Sequence, residues 1–187
     1  TSGAASVSSG AGLNANTLTV GDANAHLDLA KGATSKITSL TATAGKVNVA
    51  DGARATIEQI KADVVDAINV SGTVSVAGKV IEDDKGAATG YGVTLASGSV
   101  SMGQTGKLTF GDAATQAITV KKDGVDVFAG SFAEGAIKSV AGSEVAFSFD
   151  ETTNFTAEAL KDLRKKIFGV SGDALVAGRI NLGNATI

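Results

Sequence analysis

The feature that most constrains this chain is a repeat at an offset of 20 residues: His26–Gly45 reads HLDLAKGATSKITSLTATAG and Lys46–Val65 reads KVNVADGARATIEQIKADVV. Aligned, the two segments share Ala30/Ala50, Gly32/Gly52, Ala33/Ala53, Ile37/Ile57 and Ala42/Ala62. Leu27/Val47, Leu29/Val49 and Leu40/Ile60 are apolar in both. Apolar residues at i and i+2, then a small residue and a Gly turn, then two more apolar positions, describe short strands with one inward face and tight bends between them. The alternation predicts residues 27, 29, 37, 40, 47, 49, 57 and 60 inside, equivalent positions one above another. It leaves Asn48 outside, where a charge should cost little.

A shorter form of the signature, apolar-polar-apolar followed by small residues, recurs along the chain. It is seen at Leu18-Thr-Val20, Leu27-Asp-Leu29, Val47-Asn-Val49, Val93-Thr-Leu95, Leu108-Thr-Phe110 and Ile180-Asn-Leu182, and in shortened form at Ile68-Asn-Val70 and Val74-Ser-Val76. One such unit buries only a narrow face, so it needs neighbours above and below it, which is the logic of a solenoid. An antiparallel β-sandwich also alternates strands with Gly turns; the in-phase Gly and Ala positions favour the solenoid. A helical reading competes locally, because Ile57, Ile60, Val64 and Ile68 follow helix spacing with Glu58, Lys61 and Asp63 polar between them. Residues 53–67 thus read alternatively as one helical rung.

The second half has a different character. All seven phenylalanines, at 110, 128, 132, 147, 149, 155 and 168, lie there and Tyr91 stands just before it, whereas residues 1–90 rely on small and aliphatic side chains. Asp123-Gly124 between Ala117–Lys122 and Val125–Phe128 signals a hairpin. Val145, Phe147 and Phe149 share one face of a further strand. Thr156 is the expected N-cap of a helix over 156–168, with Phe155 and Leu160 in staple positions, basic residues in its last turn and Gly169 as its stop. The expected organisation is a flexible segment over 1–12, a β-solenoid-like region over 13–113, and a Phe-rich β module with one helix over 114–174. A solenoid-like strand returns over 175–187. The fold class is mainly β, a parallel solenoid carrying an inserted module, with two antiparallel sandwich domains as the alternative.

Composition closes off many chemistries. With Cys 0 and His 1 there is no disulfide framework, no thiolate zinc site and no cysteine nucleophile, and the lone His26 is too little imidazole for a triad. A net charge of -3 without a basic run argues against nucleic acid as a partner. No run approaches the roughly 18 apolar residues of a membrane helix, so membrane insertion is not expected. Neither a Gly-x-Gly-x-x-Gly loop nor a Gly-x-Ser-x-Gly elbow occurs.

Chains rich in Ala, Gly, Thr, Ser and Val, acidic and cysteine-free, with rungs such as Leu18-Thr-Val-Gly-Asp-Ala23, resemble bacterial S-layer proteins and filamentous-haemagglutinin-like or autotransporter adhesins. The resemblance covers residues 10–112 and 176–187. It implies an extracellular bacterial surface scaffold, with self-association, other surface proteins or cell-surface polysaccharide as partners. The tandem Gly-Gly-x-Gly-x-Asp calcium repeats common in such proteins do not occur.

Few residues suggest chemistry. Glu82-Asp83-Asp84 supplies the carboxylates that Ca²⁺ takes as ligands, making Asp83 and Asp84 the metal candidates and calcium the one possible cofactor; a solvated loop is the simpler reading. Gly90-Tyr91-Gly92 reads as a tight turn or a sugar-stacking platform. His26 reads as an outward rung residue, and Arg164-Lys165-Lys166 as a complement to the helix dipole. The tripeptides Asn69-Val-Ser71, Asn154-Phe-Thr156 and Asn184-Ala-Thr186 carry no assigned role. The expected function is non-enzymatic, a structural segment giving rigidity and assembly contacts. The alternative is a carbohydrate-active or carbohydrate-binding β-helix, which would require paired carboxylates in a groove.

Overall fold

The structure is a computed structural model that describes residues 3–90, 92–95, 97–116, 119–122, 125–128, 132–170 and 176–187. The chain winds in coils, each giving one strand to either of two sheets. The first coil is β1 (Ala4–Val7) and β2 (Gly12–Val20), the second β3 (His26–Leu29) and β4 (Thr34–Ala42), the third β5 (Lys46–Val49) and β6 (Arg54–Ala62). The fourth begins with β7 (Ile68–Val70) and β8 (Thr73–Val76), leaves for a hairpin of β9 (Ile81–Glu82) and β10 (Ala88–Gly90), and resumes at β11 (Val93–Thr94). β12 (Val100–Met102) and β13 (Lys107–Phe110) form the fifth. After α1 (Asp112–Gln116), β14 (Thr119–Lys122) and β15 (Val125–Phe128), the sixth is β16 (Ile137–Lys138) and β17 (Glu144–Phe147). α2 (Ala157–Phe168) and β18 (Arg179–Asn181) follow.

The first sheet has the order β1-β3-β5-β7-β12-β16 and the second β2-β4-β6-β8-β13-β17-β18. Every neighbour in both is parallel. Among the described residues, antiparallel pairing is confined to the hairpins β9–β10 and β14–β15. A parallel two-sheet stack fed alternately by one chain is a solenoid, not a sandwich.

The 20-residue repeat sets the register. Leu27 lies beside Val47, Leu29 beside Val49, Ile37 beside Ile57 and Leu40 beside Ile60, and all eight side chains are buried. Like therefore stacks on like, and each rung covers the apolar face of the previous one. The segment read alternatively as a helical rung is strand β6. Ile57 and Ile60 sit three apart because Glu58 and Gln59 both face outward, as Thr38 and Ser39 do one coil earlier. The nine-residue rung turns a corner there, and the phase of its alternation shifts by one.

The later coils are interrupted at that same corner. β8 pairs with the first half of β6 and β11 with its second half; Lys79 N–H donates to Glu58 O at 2.9 Å and Ile60 N–H to Gly92 O at 2.7 Å, on either side of the excursion. In the fifth coil the chain departs after Phe110 and regains the stack where Phe132 bridges Leu95. It departs again after Phe147, the register partner of Phe110. Residues 137–138 and 144–147, inside the interval 114–174 expected as a separate module, are thus rungs of the same two sheets. Residues 4–7, in the segment 1–12 expected to be flexible, are the first strand of one sheet, and β18 pairs in parallel with β17 in the other.

The phenylalanines follow from this arrangement. One inward column runs Ile37, Ile57, Val76, Phe110, Phe147, so bulky rings occupy the last two of the three levels at which the chain leaves the stack. Phe110 stacks on Phe147 with ring centroids 5.3 Å apart and meets Phe132 edge-on at 6.0 Å; Phe149 links Phe147 to Phe155. Helix α2 has the anticipated caps. Thr156 Oγ1 accepts from Ala159 N–H at 3.1 Å, and Gly169, at φ 67, donates its N–H to Lys165 O. Ala159, Leu163, Ile167 and Phe168 are its buried face, with Leu160 only partly covered. The hairpin turn at Asp123-Gly124 lies outside the described residues.

Rung spacing leaves no room at some turns. β7 and β8 are joined by Ser71-Gly72 alone, where β5 and β6 have the longer Ala50–Ala53 link, and a Cβ on Gly72 would strike the carbonyl oxygens of Ala50 and Ala53. Gly72→Ala is expected to destabilise by about 2–3 kcal/mol through this overpacking. Gly12→Ala, whose Cβ would sit 3.5 Å from Thr34 Oγ1, should be close to neutral. Paired chemical denaturation curves check the contrast.

Candidate functional site

The outer face of the first sheet concentrates the ordered polar groups of the stack. Outward residues of successive rungs fall into columns, and one column, Asp28, Asn48 and Asn69, is joined by side-chain hydrogen bonds. Asn48 Nδ2 donates to Asp28 Oδ1 at 2.7 Å and Asn69 Nδ2 to Asn48 Oδ1 at 2.8 Å. The adjacent column is Ser8, Ala30, Ala50 and Ser71, and the step between long and short side chains makes a shallow groove of about 400 Å³ across the rungs. A second groove lies on the other side of the ladder, between it and His26 and Lys46. His26 points outward as expected, its Nε2 3.4 Å from Asp28 Oδ2.

The ladder continues into a cluster at the start of the later rungs. Asn69 Nδ2 also reaches Asp66 O at 3.4 Å, and Asp66, held at φ 54, receives the Lys138 ammonium on Oδ1 at 2.7 Å. Its N–H donates to Ser99 Oγ at 2.7 Å. Ser101 and Lys138 stand in register with Asn69, so the Lys138 side chain reaches back across the intervening rung. The hydrogen bond from Lys138 is the main reason the Asp66 carboxyl sits below the ordinary aspartate range, aided by the charges of Lys138 and Lys46 and by Ser99, against a smaller opposing effect of burial.

A carboxylate held low in the folded state contributes stability above its unfolded pKa and loses that contribution as pH falls through the folded value. Asp66→Asn should therefore lower Tm measurably at about pH 6 and leave it near wild type at about pH 2. Thermal melts across that range read the difference; because the pair is partly exposed, added salt should shrink it.

Of the carboxylates singled out in the sequence, Asp83 has a local role. Asp83 and Asp84 lie in the turn of the β9–β10 hairpin, and Asp83 Oδ1 accepts from the N–H groups of Lys85 and Ala87, both at 2.9 Å. These bonds close the turn. Among the described residues, no group of three or more His, Cys, Asp or Glu side chains could hold a metal ion. Tyr91 lies outside the described residues. Arg164, Lys165 and Lys166 are in the last two turns of α2, near its C-cap. Of the sequon asparagines, Asn69 is part of the ladder and Asn154 bridges Thr186.

One pocket does hold two carboxylates, a requirement of the carbohydrate-active alternative. Asp112, Thr115, Gln116, Ser148 and Asp150 line a space of about 210 Å³ beside α1. Thr115 Oγ1 donates to Phe110 O and accepts from Ser148 N–H, so its hydroxyl joins two rungs. Asp150 is lowered chiefly by the Thr152 hydroxyl, with the Thr152 N–H and Thr153 adding to the effect. A general acid needs the opposite shift. The geometry at Asp150 is that of an ionised turn cap.

The sequence reading missed the ladder and the Asp66–Lys138 pair. Asp28 and Asn48 occupy the same position of the aligned repeat, a signal present but unused; Lys138 is 72 residues from Asp66 and gave none. No protein-family model matches the chain, and no curated protein or solved structure matches it. Among the described residues no helix is long and apolar enough to cross a membrane.

Proposed function

We propose that this chain is a non-enzymatic structural segment of an extracellular bacterial surface protein, an S-layer or adhesin scaffold that supplies rigidity and assembly contacts. The observation that supports this reading is the in-register parallel stack, in which the inner rungs are tied to a neighbour on either side. Such a stack resists bending because deformation at any level stretches the hydrogen bonds of both sheets together. Its side excursions, with α1 and α2 packed against the stack, add lateral contact surface. Electron microscopy of the purified chain, with and without calcium, tests the proposal. Ordered rods, sheets or filaments support it; a monodisperse monomer under both conditions counts against it.

The ladder favours a second reading, binding of an extended polysaccharide along the first sheet. Asp28, Asn48 and Asn69 present carboxylate and amide groups in a line beside the groove, suited to successive hydroxyls. Calorimetric titration with oligosaccharides of increasing length separates the two readings, since a polymer groove gains affinity with each added sugar until the rungs are spanned.

A further inference from the structure

The outer face of the second sheet carries two columns that run from coil to coil. Register places Arg54, Thr73, Lys107, Glu144 and Arg179 in one of them. The other holds Lys36, Thr56, Ser75 and Thr109 in the same order of strands. Lys36, Arg54, Lys107 and Arg179 are all exposed, and no two of them belong to the same strand, so the fold makes a basic face where the sequence shows no basic run. In a chain of net charge -3, the described residues of these columns include one carboxylate, Glu144, whose Oε2 lies 3.8 Å from Arg179 Nε. Among the described residues no carboxylate pairs with Lys36, Arg54 or Lys107.

Arg54, Lys107 and Arg179 occupy alternate levels of their column. Neighbouring strands are about 4.8 Å apart, so successive cations stand roughly 10 Å apart, close to the length of an extended disaccharide. Beside them runs a track of hydroxyls, Thr56, Ser75 and Thr109, at consecutive levels. A guanidinium fork and an ammonium recognise anionic oxygens, and hydroxyls both donate to and accept from other hydroxyls. The combination fits a polymer with an anion on every second unit and hydroxyls between. A folded protein partner needs apolar anchors, and neither column holds a large apolar side chain. A nucleic acid carries a charge on every unit and stacks its bases on aromatic rings, which both columns lack.

We infer that the outer face of the second sheet binds a linear polysaccharide bearing one anionic group on every second sugar. The polymer runs across the strands, its charges on Arg54 and Lys107 and its neutral sugars over Thr73 and Ser75. Lys36 borders this track, because Glu58 lines the same shallow space, and Glu144 makes Arg179 its weaker end. The site goes beyond the scaffold reading, and it lies on a different sheet from the Asp28–Asn48–Asn69 ladder.

Calorimetric titration with hyaluronan oligosaccharides, whose carboxylates recur on alternate sugars, tests the site against neutral dextran oligosaccharides and oligothymidylate of matched length. Wild type is expected to bind the hyaluronan series, more weakly as salt is added, and to bind the other two at least about tenfold less tightly. Arg54→Gln/Lys107→Gln should lose about tenfold or more in affinity with unchanged circular dichroism. Lys165→Gln/Lys166→Gln, which removes the same charge from exposed positions of α2, should stay within about twofold of wild type. Equal losses for the two double variants, or equal affinity for dextran or oligothymidylate, would overturn the inference. Binding abolished by Asn48→Leu and untouched by Arg54→Gln/Lys107→Gln would also overturn it, placing the sugar on the first sheet instead. A wild-type chain that binds none of these polymers overturns it as well and leaves the scaffold reading, which rests on assembly, in place.

Discussion

Val49→Asp is expected to destabilise the protein by about 4 kcal/mol or more, enough to threaten folding altogether, because it puts an unpaired carboxylate into a dry stack. Val49 is 2% exposed and lies in the inward column between Leu29 and Val70, with apolar neighbours above and below. No cation is in reach on the inner side of these rungs to compensate. Its outward neighbour makes the control. Asn48→Asp leaves the core intact but removes the amide that donates to Asp28 and sets two carboxylates side by side, so it should cost about 1 kcal/mol and recover in high salt. This revises the expectation that a charge at Asn48 is tolerated freely. Urea titrations at low and high salt distinguish the two: a salt-sensitive Val49→Asp, or equal losses for both variants, would contradict the inward and outward assignment.

Phe110→Ala should cost about 3–5 kcal/mol, the range for losing a large ring whose site cannot collapse. Phe110 is 1% exposed, stacks on Phe147 and receives the edge of Phe132, while its carbonyl oxygen accepts from the hydroxyls of Thr115 and Ser148. The ring thus fills the level at which the chain has left the stack for α1 and its hairpin. Phe110→Leu keeps most of the volume and should recover more than half of the loss. Hydrogen exchange adds the spatial test: protection should fall first in β13, β17 and α1, and least in β3 to β5, since rungs couple mainly to nearest neighbours. Uniform loss from β3 to β18 would show the stack to be a single cooperative unit.

How much of this was legible in the sequence depended on the distance over which the signal acts. The repeat predicted the paired columns Leu27/Val47, Leu29/Val49, Ile37/Ile57 and Leu40/Ile60, because a fixed period and a strand alternation together dictate what stacks on what. Helix α2 was legible because caps are local: Thr156 and Gly169 declare its ends without reference to the rest of the fold. The ambiguity over 53–67 came from the corner, where two successive outward residues, Glu58 and Gln59, imitate helical spacing. The phenylalanines suggested a separate core when they fill widened levels of a continuous one. In the candidate site, the position of Asp83 and Asp84 in a loop could be read directly, whereas the junction of Asp66 with Lys138 depends on which rungs become neighbours.

The corner itself has a consequence for how such a surface can change. At three successive levels the chain quits the stack after the same position, following Val76, Phe110 and Phe147, and the rung halves on the inner side keep their register. The backbone ladder between β8, β13 and β17 therefore keeps one register while the corner carries a hairpin at one level and a helix with a hairpin at the next. The β9–β10 hairpin, exposed over 82–87, can be lengthened, exchanged or diversified without renegotiating the fold beneath it. The uninterrupted corners at Thr38-Ser39 and Glu58-Gln59 are vacant berths of the same kind, through which a foreign peptide would emerge alongside the native ones.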